Sequence, residues 1–308
     1  MKILDIIVPV LDEEDLIEAF YYEVLKTFDG KNLDLEIHFI FVDDGSKDKT
    51  LEKIKDLIFL DKKVFFISFS RNFGKEAAIL AGLKKATGDL LVIMDVDMQD
   101  PPDLLFEMVK ILENEKIDAI LTARKDRKGE PIIKSFFSNC FYFVCNLFSN
   151  FKLKPGTRDF CMMKKHYKEA LLLLNEKKRF LKLIFPFLGF TVKYLEYNNK
   201  NRISGTSKWS IYKLIFYAID GIIGESTIFS IFPFFIMSGC FAIFLAIFFY
   251  LLFQYFYFHT INQILILFEI FIFLFGMNFF ILGIFGQYIN RIFIEVRNRP
   301  HFIIKEEN

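Results

Sequence analysis

Leu90-Leu91-Val92-Ile93-Met94-Asp95-Val96-Asp97-Met98-Gln99-Asp100-Pro101-Pro102 joins an apolar run of strand length to two carboxylates one residue apart, a third acid and two prolines. Side chains alternate across a strand, so positions i and i+2 point the same way. Asp95 and Asp97 are therefore expected to face one point in space where the strand stops. Two hard oxygen ligands suit Mg2+ or Mn2+, which keeps several waters and shares the phosphates of a substrate. Pro101 and Pro102 are expected to stop the strand, because proline cannot continue a central one. Taken alone, the stretch reads better as an exposed acidic turn. The rest of the chain decides between the two readings.

Upstream, strand-like and helix-like runs alternate. Ile3–Val10 reads as a strand, Leu16–Phe28 as a helix, Glu36–Val42 as a strand and Leu51–Leu60 as a helix. Val64–Phe69 is a third strand and Ala77–Ala86 a helix that Gly88 is expected to close. After the opening stretch come a helix over Asp103–Glu115 and a strand over Ala119–Ala123. This alternation predicts a mostly parallel sheet with helices on both faces. Ligands of such sheets bind beyond the carboxyl ends of the strands. Asp43, Asp44, Arg71, Asn72, Asp95 and Asp97 all fall there, which lifts the metal reading over the acidic turn.

Past Arg124 the character changes. Residues 124–131 form a charged loop, and Lys134–Phe151 is a Phe-rich stretch suited to a helix lying on a membrane surface or, equally, in a core. Lys154–Met163 is expected to be a loop, Tyr167–Leu174 a helix and Phe190–Tyr197 a strand. A polar, Gly-containing segment, 201–210, leads into a second candidate surface helix, Ile211–Ile223. Ser226–Phe268 contains no Asp, Glu, Lys or Arg. A bilayer core takes roughly 20 apolar residues, so a transmembrane hairpin is expected, with spans over Ile228–Tyr255 and Ile264–Ile289. Glu269 is placed as an interfacial carboxylate. The predicted domains are thus 1–200, 201–227, 228–290 and a tail, 291–308. Arg291, Arg297, Arg299 and Lys305 follow the hairpin, whereas the connecting turn has no Lys or Arg. The positive-inside rule puts both termini and the α/β domain in the cytoplasm, on the inner membrane.

Composition agrees with attachment to a membrane. The 308 residues are 53% hydrophobic with 42 Phe, and the net charge is +1, which argues against a nucleic-acid partner. Mean hydropathy is +0.33, high for a soluble protein. The four cysteines have no C-x-x-C spacing and read as reduced thiols. Met1-Lys2 leads directly into the first strand, with no signal-peptide pattern. A divalent metal at a parallel-sheet edge most often holds a diphosphate. Arg124, Arg127, Lys134 and Arg202 flank the candidate surface helices and could hold a lipid phosphate, or simply be drawn to anionic lipid.

Taken together, Val8-Pro9-Val10-Leu11-Asp12-Glu13-Glu14, Val42-Asp43-Asp44-Gly45-Ser46, Arg71-Asn72-Phe73-Gly74-Lys75-Glu76, the opening stretch, Arg158-Asp159-Phe160, Arg202 through Trp209 and Gly286-Gln287-Tyr288 through Arg299-Pro300 resemble the polyprenyl-phosphate glycosyltransferases, in particular the bactoprenol glucosyltransferase branch and the dolichyl-phosphate mannose synthases. The resemblance spans essentially the whole chain. It implies an inverting enzyme with a GT-A catalytic domain, a nucleotide-sugar donor, a polyprenyl phosphate acceptor, a membrane anchor and homo-oligomers such as tetramers. It also implies that Pro9, Asp12 and Glu14 line the nucleotide pocket, that Asp44 contacts base or ribose, and that Arg71 and Lys75 lie near the diphosphate. Asp95, Asp97 and Gln99 would hold the metal. Asp97 and Asp159 would serve catalysis, Asp159 near the acceptor as base or as orienting group. Arg124, Arg127, Lys134, Arg202 and Lys208 would serve phosphates. The chain departs from the family in carrying Asp12 where Asn is usual and Cys161 where Arg commonly follows Asp-Phe. UDP-glucose is the donor the branch favours, with UDP-N-acetylglucosamine and GDP-mannose as alternatives. A processive polysaccharide synthase would bring a Q-x-x-R-W motif, which Trp209 lacks, and a non-enzymatic scaffold would not need acids at every strand end.

Overall fold

The structure, a computed structural model, describes residues 1–31, 34–124, 154, 156–177, 179–197 and 263–308. The expected surface helices, the 201–227 segment, the first span, and Arg127, Lys134, Arg202 and Lys208 lie outside these residues. Contacts divide the chain into two units, Met1–Gly221 with Pro300–Asn308, and Ile222–Arg299.

The first unit is an α/β domain. Its elements are β1 (Lys2–Val10), α1 (Ile17–Phe28), β2 (Leu35–Asp43), α2 (Thr50–Leu60), β3 (Val64–Phe69), α3 (Lys75–Lys85), β4 (Leu90–Ile93), α4 (Leu104–Asn114), β5 (Ala119–Arg124), β6 (Thr157–Lys164), α5 (Lys165–Leu173), α6 (Leu181–Phe187), β7 (Val192–Tyr197) and β8 (Ile304–Glu307). Among the described residues the strands form one eight-stranded sheet in the order β7-β5-β6-β4-β1-β2-β3-β8. β1 pairs in parallel with β2 and β4, β2 with β3, and β5 with β7, whereas β6 runs antiparallel to β4 and β5, and β8 antiparallel to β3.

Both sheet faces are covered, so consecutive residues of β1 are apolar rather than alternating. Leu4, Ile6 and Val8 pack into a cluster with α1, α2 and α4, and Ile7 into a second cluster with α3, α5 and α6. Asp5 interrupts the run and is buried. It earns its place through the α3–β4 turn: its Oδ2 accepts the N–H groups of Thr87 and Gly88, each at 2.6 Å. Gly88 therefore does not cap α3, which ends at Lys85. A Cβ at Gly88 would lie 2.9 Å from the Ile3 carbonyl oxygen, so glycine is needed for this close approach.

Three further expectations change. Lys154–Met163 is not a loop, because Thr157–Lys164 is a central antiparallel strand. Gly156, at φ +83°, precedes the strand, and period-2 alternation is hidden because Phe160, Cys161, Met162 and Met163 are all buried. Residues 291–308 are not a simple tail: Arg291–Arg297 continue a helix and Ile304–Glu307 closes the β3 edge. Phe302 stacks on Phe69 with centroids 4.9 Å apart, and Ser70 N–H donates to the Ile303 carbonyl at 3.0 Å. Finally, the prolines do not stop β4, which ends at Ile93. Pro101 and Pro102 instead start α4, their carbonyls accepting the Leu104 and Leu105 N–H groups.

In the second unit α7 (Gln263–Arg297) runs 35 residues, about 50 Å at 1.5 Å per residue. Residues 263–290 carry one charged side chain, Glu269. Leu267, Phe271, Phe285, Ile289, Phe293 and Val296 are each more than half exposed. Among the described residues no helix is long and apolar enough to cross a membrane. Of the cysteines, Cys161 is a buried free thiol, and the other three lie outside the described residues.

Candidate active site

The carboxyl ends of β1, β2, β3 and β4 lie on one edge of the sheet, and the antiparallel β6 brings its first residues there. Two sets of side chains meet at this edge.

The first set ties the loops after β1, β2 and β3 together. The Asp12 N–H donates to Ser46 Oγ at 2.9 Å, and Asp12 Oδ1 accepts the Lys47 N–H at 2.8 Å. Glu14 Oε2 accepts the Lys49 N–H at 2.8 Å. Asp43 accepts the Ser46 N–H and the Ser68 hydroxyl. Asp44 is buried and clasps the third loop, accepting the Phe73 N–H at 2.6 Å and the Gly74 N–H at 2.9 Å. Burial pushes the Asp44 carboxyl above its usual range in spite of those donors. Gly45, at φ +77°, passes so close to the third loop that a Cβ would sit 2.6 Å from the Arg71 carbonyl carbon. The Arg71 guanidinium stacks on the Phe73 ring 4.0 Å from its centroid. Of the residues assigned to nucleotide binding, Asp12, Glu14 and Asp44 hold these loops in register. Pro9 lies within β1, in register with Val42 of β2.

The second set surrounds the D-x-D pair. Met94 N–H donates to the Ile7 carbonyl at 3.1 Å, and the chain then leaves the sheet. Strand alternation accordingly does not extend to Asp95 and Asp97, and Met98 adopts φ +52°. Lys75, the first residue of α3, reaches both oxygens of Asp95, at 2.7 and 2.8 Å, and Asp159 Oδ2 at 2.9 Å. Burial alone would lower the Lys75 ammonium. Asp159 and Asp95 overcome it and hold the group well above the usual lysine range. Burial would likewise raise the Asp159 carboxyl, but Lys75 and Lys182 hold it well below the usual carboxylate range. Lys182 Nζ lies 3.9 Å from Asp159 Oδ1. On the other face of β6, Arg158 Nη2 approaches Gln99 Oε1 at 3.4 Å, and its Nε lies 3.8 Å from Asp100 Oδ1. Asp100 is 2% exposed and accepts the Tyr197 hydroxyl. Burial pushes the Asp100 carboxyl up against the pull of Arg158.

The donor set near Asp95 and Asp97 fits a divalent cation shared with a phosphate ligand. Both are hard oxygen donors, and the Asp95 side chain is 30% exposed. Among the described residues no group of three or more His, Cys, Asp or Glu could hold a metal. Mg2+ is commonly bound by one or two carboxylates plus substrate phosphates, so two acids suffice for such a site. Asp97 Oδ1 accepts the Gln99 N–H at 3.1 Å, which fixes the turn that presents both side chains.

The family resemblance set Lys75 near the diphosphate, Asp95, Asp97 and Gln99 on a metal and Asp159 near the acceptor; the fold brings all five to one edge of the sheet. Sequence reasoning missed Lys182, because the seven-residue α6 contains Pro186 and gives no helical signal. It missed the Asp100–Tyr197 contact, whose partners are 97 residues apart. Arg124 ends β5 opposite Tyr197.

Residues 5–172, from within β1 to within α5, match glycosyl transferase family 2. The chain belongs to that family. As a family-2 glycosyltransferase it is similar over its full length to CsbB of Bacillus subtilis, 37% identical over 317 residues that cover 99% of this chain and 92% of that protein. It is similar also to the bactoprenol glucosyl transferase of Shigella phage SfII, 35% identical over 319 residues, covering 100% and 99%. Among solved structures, the glucosyl-3-phosphoglycerate synthase of Mycobacterium tuberculosis, in complex with Mn2+, UDP and glucosyl-3-phosphoglycerate, shares the fold with a TM-score of 0.50 at 16% identity, covering 72% of this chain and 78% of that one.

Proposed function

We propose that this glycosyltransferase moves a hexose, glucose first among candidates, from a UDP-sugar to undecaprenyl phosphate at the cytoplasmic face of the inner membrane. The observation that carries the reading is the similarity over the whole chain, α7 included, to a protein named bactoprenol glucosyl transferase. The exposed apolar side chains of α7 support the membrane part, since such a helix needs a cover of lipid or of another chain. A homo-oligomer would use part of the same apolar surface.

The reaction is a single in-line displacement with inversion. A lipid phosphate oxygen forms a bond to the anomeric carbon. The bond from that carbon to the donor diphosphate breaks, and its electron pair leaves with UDP. Asp95 and Asp97, with Gln99 beside them, would hold Mg2+ or Mn2+, which when bound offsets charge on the leaving diphosphate. Lys75 contributes a second cation at the same place and keeps Asp159 ionised. A phosphate monoester is mostly dianionic at pH 7, its second pKa being about 6, so no strong base is required. Asp159, held far below neutral pH by Lys75 and Lys182, serves to orient rather than to take a proton.

The test is to incubate membranes containing the protein with undecaprenyl phosphate and a panel of nucleotide sugars, then weigh the lipid product. Wild type should yield undecaprenyl phosphohexose, and Asp97→Asn should abolish it while the protein still folds. Undiminished transfer by Asp97→Asn would sink the metal assignment.

A further inference from the structure

The geometry points to Arg158 as a phosphate-contacting residue of this site, presented by the buried Asp100–Tyr197 pair. The inference rests on the glycosyl-transfer reading and adds a residue to it. Arg158 opens β6 beside Asp159, and neighbouring strand residues face opposite sides. Asp159 therefore meets Lys75 and Lys182 on one face, while Arg158 turns to the loop after β4 on the other.

Its contacts show what the guanidinium is and is not doing. An arginine that only neutralised Asp100 would be expected to grip it through two parallel N–H···O bonds. Here Nε stands 3.8 Å from Asp100 Oδ1, beyond hydrogen-bond distance, and that same oxygen accepts the Tyr197 hydroxyl. Nη2 makes one long approach, 3.4 Å, to Gln99 Oε1, and Tyr197 provides a further polar contact. Among the described residues none takes the fork bidentately. Asp100 supplies countercharge at 2% exposure without consuming the fork, while the Arg158 side chain is 27% exposed. Guanidinium has five N–H donors in a fixed plane that match a phosphate. A restrained, always-charged and partly exposed fork beside the D-x-D turn suits a phosphate group. The phosphate belongs either to the donor diphosphate or to the lipid acceptor.

The test uses the full chain in detergent and direct binding, which does not depend on turnover. UDP is titrated by calorimetry, and radiolabelled undecaprenyl phosphate is bound in micelles with undecaprenol as control. Arg158→Gln should weaken one of the two phosphate ligands by about tenfold to a hundredfold, the loss expected for a charge-assisted hydrogen bond. Which ligand weakens identifies the phosphate. Arg158→Lys keeps a cation near Asp100, and so the fold, but lacks the fork; it should weaken the same ligand by several-fold. If Arg158→Lys binds both ligands within twofold of wild type, Arg158 is only a structural counter-ion and the proposal fails, whatever happens to the stability of Arg158→Gln. A wild type that binds neither ligand overturns the functional reading as well, whereas wild-type binding with an unaffected lysine variant overturns this inference alone.

Discussion

Lys75→Met removes the cation on which two carboxylates converge. Lys75 Nζ lies 2.7–2.9 Å from oxygens of Asp95 and Asp159, so the variant leaves two like charges facing each other across the space it filled. Removing one partner of a fully buried pair costs about 3–5 kcal/mol. Here the side chains of Lys75, Asp95 and Asp159 are 31%, 30% and 22% exposed, and Lys182 remains 3.9 Å from Asp159. Roughly halving the figure for this screening leaves about 2 kcal/mol, or a fall in Tm of about 4–8 °C. The sign of the pH dependence follows from Asp159. Its folded pKa is depressed, so its stabilisation is present above the unfolded value of about 4 and is lost as pH falls through the range below it. The stability gap between wild type and Lys75→Met should therefore be widest near neutral pH and close in acid. Adding Asp159→Asn to Lys75→Met removes one of the repelling charges and should recover about half the loss. Thermal denaturation of the four proteins of this double-mutant cycle, at several pH values, measures both effects. Additivity within about 0.5 kcal/mol, together with a gap that does not change with pH, would refute the reasoning.

Two other perturbations probe how the site is held. Gly45→Ala places a Cβ 2.6 Å from the Arg71 carbonyl carbon at a residue with φ +77°; it should cost more than ~1 kcal/mol and weaken UDP binding, and calorimetry showing wild-type affinity with an unchanged Tm would contradict the role given to that close approach. Phe302→Ala removes the ring stacked on Phe69 from a partly buried position; a loss of about 1–3 kcal/mol is expected, with faster amide exchange along β3 and β8, and unaltered exchange there would show that the β8 edge does not depend on the stack.

Much of the fold was legible because it is local. Hydrophobic runs of strand length separated by amphipathic helices identify β1 through β5 and α1 through α4, and burial of both sheet faces explains why those strands read as continuous apolar runs. The strand hidden in Lys154–Met163 was not legible. Its turn signal looked like a loop, and every residue from Phe160 to Met163 is buried, which erases the alternation that marks a half-exposed strand. β8 was illegible for a different reason: Ile304-Lys305-Glu306-Glu307 has no strand-like composition. It is a strand because the β3 edge offers hydrogen bonds and because Lys55 and Lys85 meet Glu306 and Glu307.

The site divides along the same line. Local chain chemistry determined that Asp95 and Asp97 are close together and that acids gather at strand ends. Only tertiary structure decided what those residues do to one another. Lys75 and Asp159 are 84 positions apart, and no spacing rule predicts that one ammonium bridges Asp159 and Asp95. Asp44 looked like a ligand contact and is also the clasp of the Phe73–Gly74 backbone. Asp95 and Asp97 are presented by a turn beyond β4, with a left-handed Met98, rather than by strand alternation. Side-chain type and local spacing are written in the chain. The direction in which a charge points, and the counter-charge it meets, depend on how β6 and α3 pack against β4, and that is a property of the folded sheet.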